Sequence, residues 1–160
     1  MQVKSRLSRF FNYVLRVPSQ ESAVFSLIYL DNDTIPELVV LDRSYDRYSI
    51  YAIKDDSIAC LVDSMTTVEM SYYEHCGVIS AFCRWNGGGG EGSYASAYYQ
   101  MAQHSETLTD DSIPDLEFTY RAVYDEGGQW TGTGTIDYSA KGGEIGEAAY
   151  HQILAGFNIS

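Results

Sequence analysis

Tyr48–Asp63 reads YSIYAIKDDSIACLVD, two apolar-rich runs on either side of Lys54-Asp55-Asp56-Ser57. Side chains on a strand point alternately to opposite faces. Two such runs joined by a short acidic turn predict an antiparallel hairpin. The same grammar extends in both directions. Val24–Leu30 and Leu38–Asp42 precede the hairpin and flank a second acidic turn. Val68–Tyr73 and Val78–Trp85 flank Glu74-His75-Cys76-Gly77, where Gly77 can supply a positive φ. Tyr94–Met101, Leu116–Tyr124 and Trp130–Tyr138 follow, the last two separated by Asp125-Glu126-Gly127-Gly128. Neighbouring strands joined by local turns make a meander.

The period changes at both ends. Val3, Leu7, Phe10, Phe11, Val14 and Leu15 recur at helical spacing until Pro18 stops the pattern. Ile145, Ala149, Ile153 and Phe157 do the same near the C-terminus. The prediction is one α+β domain over residues 1–160: a curved antiparallel meander sheet of eight or nine strands (24–138), an N-terminal amphipathic helix (1–17) and a C-terminal helix (144–157). A partly closed barrel and a propeller-like stack are the alternative arrangements of the same strands. The Gly-rich stretch Asn86–Ser93 lacks the Lys-Ser/Thr of a phosphate loop and reads as a hairpin tip.

The charge is uneven. Lys4, Arg6, Arg9 and Arg16 precede the first acid, Glu21, and the remainder carries six basic against 22 acidic residues, a net of −16. Such a body repels phosphate backbones, which disfavours direct nucleic-acid binding. It suits a cationic partner, a bound cation or plain solubility. No run is apolar enough to span a membrane. Cys60, Cys76 and Cys83 form no even framework and read as free thiols. The 14 tyrosines suit a pleated surface that packs the ring and wets the hydroxyl.

The most informative segment is the acidic turn Asp31-Asn32-Asp33-Thr34-Ile35-Pro36-Glu37-Leu38. Carboxylates at alternate positions between two strands can converge on a hard cation, so Asp31, Asp33 and Glu37 are the candidate calcium ligands. The same side chains can instead accept backbone N–H groups two residues on and hold the turn by themselves. Asp110-Asp111-Ser112-Ile113-Pro114-Asp115-Leu116 repeats the second half of this turn at an offset of 78 residues. Thr109 replaces its first acid.

Phe25–Leu41, FSLIYLDNDTIPELVVL, resembles a group of uncharacterised clostridial and other gut-bacterial proteins, many of them lipoproteins or secreted proteins. The resemblance continues at Tyr72-Tyr73-Glu74, Val78-Ile79, the Gly-rich tip, Tyr98-Tyr99 and Ile136 to Tyr150, with only the I-P-E-L turn specific. It implies an extracytoplasmic, envelope-associated protein if an upstream signal has been removed. Without such a signal the chain would be cytoplasmic. The acidic turn is also similar to the calcium loops of integrin-type propeller repeats, D-x-D-G-D-G-x-x-D. In that register Asp31 and Asp33 take the second and third acids and Glu37 the last. Tyr29 stands where the first acid belongs, and Asn32 and Thr34 stand at the two glycines.

Catalytic signatures are absent from the sequence. His75, His104 and His151 are the only histidines, and no HExxH, GxSxG, CxxC or dinucleotide motif occurs. The expected function is a non-catalytic binding or interaction domain with a protein or carbohydrate partner. The Tyr-rich strands and Trp85 and Trp130 suggest a calcium-assisted carbohydrate module. The net charge suggests an acidic inhibitor or nucleic-acid mimic.

Overall fold

The computed structural model of the chain describes residues 22–85 and 92–159. The predicted hairpin forms as β3 (Arg47–Lys54) and β4 (Ser57–Thr66), with Lys54 paired to Ser57. Asp55 and Asp56 both take positive φ, 48° and 61°, the turn geometry whose twist matches that of the flanking strands. Upstream lie β1 (Ala23–Ile28) and β2 (Glu37–Asp42). Downstream lie β5 (Glu69–Tyr73), β6 (Val78–Trp85), β7 (Ser93–Gln100), β8 (Leu116–Tyr124), β9 (Trp130–Ala140) and β10 (Gly143–Ile145). Gly77 closes the β5–β6 turn with φ +65°, as its place in the sequence requires. One α-helix, α1 (Glu147–Gly156), follows β10.

The strands do not form the single sheet expected. They make two antiparallel meanders, β1-β2-β3-β4 and β10-β9-β8-β7-β6-β5, ten strands in all. The break falls at Thr67 and Val68. Thr67 is buried, and its single hydroxyl proton is shared between the carbonyls of Phe82 and Glu69, whose oxygens lie 2.6 and 2.9 Å away. Val68 N–H adds a bond to Phe82 O. The chain is thereby handed from the β4 edge to β6, and β5 pairs with β6 instead of continuing the first sheet.

The sheets pack face to face. Ile28, Ile50, Val62 and Met65 of the first meet Ile79, Ala81 and Tyr99 of the second, with Leu30 and Leu108 from loops filling the layer. Leu108 also ties the layers through backbone bonds to Leu61 and Asp63. The opposite face of the second sheet is covered by α1, whose Tyr150 and nearby Phe157 pack on Val78, Leu116, Phe118 and Tyr138. Burying several side chains of this size stabilises by roughly 1.5–3 kcal/mol each.

The helix is shorter than the predicted 144–157. Gly143–Ile145 pairs with Tyr138–Ala140 as β10, and Gly146 precedes the first turn in an extended conformation. The predicted N-terminal helix over 1–17 lies outside the described residues. No helix among the described residues is long and apolar enough to cross a membrane.

Candidate functional site: an acidic turn and an aromatic sheet face

The three acids singled out from the sequence do come together. One carboxylate oxygen from each of Asp31, Asp33 and Glu37 lies within 4.8 Å of the others. That is a spacing a calcium ion with 2.3–2.6 Å bonds can bridge. The same oxygens serve the backbone. Asp31 Oδ1 accepts Asp33 N–H at 2.9 Å, and Asp33 Oδ1 accepts Ile35 N–H at 2.6 Å. Glu37 is buried rather than presented to solvent, and its Oε2 accepts Leu30 N–H at 2.8 Å. Burial pushes the Glu37 carboxyl above its ordinary value; the Leu30 bond opposes this, and Asp31 and Asp33 add to it. The turn is also clamped from outside. The N–H groups of His75 and Gly77 donate to Tyr29 O and Leu30 O, and the His75 ring Nδ1 meets Asp31 O at 2.9 Å.

The second sheet carries a continuous aromatic surface on its helix side, beyond the area α1 covers. Register places Arg84, Tyr94, Tyr120 and Ile136 in one row across β6 to β9, and Phe82, Ser96, Phe118 and Tyr138 in the next. Tyr94 is the hub. Its ring centroid lies 5.9 Å from Phe82, 5.9 Å from Phe118 and 5.1 Å from Tyr120, the last pair stacked at 23°. Gly134 makes the stack feasible, because a Cβ there would lie 2.3 Å from the Tyr120 ring. Ile136 is exposed, and Trp130 stands opposite Tyr124 past a bulge with its indole N–H on Thr133 O.

Tyr138 anchors the other end of the strip under the helix, 4.9 Å from Tyr150. Burial raises the Tyr98 and Tyr150 hydroxyls above the usual phenol value, so the packed end of this surface stays neutral. The thiols stand apart from the strip: Cys60 is half-buried and pushed by burial to about 11, and Cys76 is exposed.

Trp85 and Trp130, the tryptophans picked out from the sequence, do not share one platform. Trp85 lies on the opposite face of the second sheet, where it lines an interlayer cleft. The rings that do cluster are tyrosines and phenylalanines on four neighbouring strands, β6 to β9. Alternation could assign each to a face, but not one strand's row to the next. No protein-family model, curated protein or solved structure matches this chain.

Proposed function

We propose that this chain is a non-catalytic binding domain whose recognition surface is the aromatic strip of the second sheet, and that its ligand is a carbohydrate. The observation that carries the reading is the Tyr94-centred cluster, with ring spacings of 5.1 to 5.9 Å. Aromatic faces offer a flat apolar seat for the C–H side of a sugar ring, while the phenol oxygens can meet its hydroxyls. The resemblance of Phe25–Leu41 to secreted and lipoprotein-type proteins is in keeping with a glycan ligand at a cell envelope. In this reading the acidic turn positions β1 and β2 and takes no direct part in binding.

The test is a titration of the full chain with soluble polysaccharides and cell-wall glycan fragments. Tyr94→Ala should weaken binding at least about tenfold, or ~1.4 kcal/mol. Gly134→Ala should do the same without removing any ring, by displacing Tyr120. Phe25→Ala, on the other sheet, should leave affinity unchanged. A glycan bound equally by wild type, Tyr94→Ala and Gly134→Ala would place recognition elsewhere.

A further inference from the structure

On the face of the second sheet turned toward the first, where the two layers part, lies a cleft of about 270 Å³. Its floor is small, with Ala81, Ala95 and Ala97, and Trp85 lines it with nearly half its side chain exposed. Asp110 and Glu117 supply its only charged side chains among the described residues. Asp110 Oδ1 accepts Thr66 N–H at 2.6 Å, which fixes that carboxylate at the cleft wall. Glu117 is shared with a neighbouring groove, where Arg121 is already paired with Asp137 at 3.1 Å.

A second, independent feature points to a ligand. Tyr99 lines the cleft and is 94% buried, being 6% exposed, yet its hydroxyl has no hydrogen-bond partner among the described residues. Every fully buried side-chain nitrogen and oxygen in the described chain does have one. The Tyr99 oxygen therefore keeps solvent access, and its nearest titratable neighbours, Glu117, Cys83 and Asp110, all line the same cleft. Burial, then Glu117, Cys83 and Asp110, push this phenol to about 12, so it stays neutral, with lone pairs for a donor.

We propose that the cleft binds a small primary alkylammonium ligand, its ammonium among Glu117, Asp110 and the Tyr99 hydroxyl and its alkyl chain along Trp85 and the alanine floor. A primary ammonium carries three N–H donors and no acceptor, matching three oxygen acceptors. The indole face of Trp85 and the alanine methyls offer an apolar seat for the alkyl chain. The volume corresponds to roughly nine water molecules' share of liquid, which suits a short amine.

The test is an NMR titration of the ¹⁵N-labelled full chain with n-pentylamine, using 1-pentanol and tetramethylammonium as controls. Pentylamine should shift the Trp85 indole N–H and the Ala95 and Ala97 amides saturably, and pentanol should not. Glu117→Gln should weaken binding at least tenfold and Tyr99→Phe severalfold, each with the rest of the spectrum preserved. Tyr94→Ala, on the opposite face, should leave the titration unchanged, which separates this site from the glycan surface. Equal shifts with pentanol would mean an apolar crevice only. Equally tight tetramethylammonium binding, or unaltered binding by Glu117→Gln, would overturn the assignment of the ammonium to these oxygens.

Discussion

Leu30–Leu38 and Leu108–Leu116 are built alike and used differently. Each begins with a fully buried leucine in the layer between the sheets, turns through Ile-Pro, places an acid in the interior and ends on a fully buried leucine. Asp33 N–H donates to Asp31 Oδ1 in the first turn, and Asp111 N–H to Thr109 Oγ1 in the second, at 2.9 and 3.4 Å. The buried acids differ in reach. Glu37 satisfies Leu30 N–H within its own turn. Asp115 leaves its turn: its Oδ2 accepts Gln100 N–H at 2.7 Å and His104 Nε2 at 2.8 Å, fastening the end of β7 and the 3-10 turn Met101–Gln103. One turn stabilises itself, and the other braces its surroundings.

The largest expected effect follows from that difference. Asp115→Ala strands two donors in a buried site, at about 1–3 kcal/mol each, whereas Glu37→Ala strands one. Urea unfolding should therefore show Asp115→Ala losing about 3–4 kcal/mol and Glu37→Ala about 2. Equal losses would erase the distinction between the two turns.

Glu37→Gln sharpens the comparison through pH. The folded-state carboxyl of Glu37 is raised, so its contribution is fully present only below the ordinary value of 4.5 and declines as pH rises through the folded value. Glutamine keeps an acceptor for Leu30 N–H and removes the buried charge. Wild-type stability relative to Glu37→Gln should fall as pH rises from about 4.5 through the folded value of the carboxyl. A difference independent of pH would show that the buried carboxylate carries no such penalty.

The smallest effect concerns Asp33, which is exposed and holds only Ile35 N–H. Asp33→Ala should cost about 1 kcal/mol by the loss of that bond. A weak calcium site of the 0.1–1 mM kind would let 10 mM calcium add only about 1.5–3 kcal/mol to the wild type. Thermal melts with chelator and with calcium decide the matter. A calcium shift above about 15 °C, abolished in Asp33→Ala, would make the turn a tight metal site rather than a self-bonded one.

Much of this fold was legible in the sequence, and the limits have physical causes. Alternation and turn residues located every strand from β1 to β9, because those signals are local. The division into two sheets turns on Thr67, whose hydroxyl bonds to Phe82 across 15 residues, a pairing no local pattern encodes. β10 escaped notice because Gly-Glu-Ile is short and merges with the apolar period of α1. The acidic turn was visible as a cluster, but the burial of Glu37 was not, since a carboxylate beside two others reads as solvent-facing. The cleft was invisible for another reason. Thr66, Trp85, Tyr99, Asp110 and Glu117 are scattered along the chain and meet only when the two layers stack.

Every strand in both sheets pairs with its neighbour in the chain. That order has a kinetic meaning. Short loop closures cost little entropy, so each meander can grow hairpin by hairpin without awaiting distant segments. The demanding step is the meeting of the finished sheets, where Leu108 must find Leu61 and Asp63 across more than 40 residues. The slow step expected of this order is the long-range meeting of the two sheets, at the boundary where the cleft also opens.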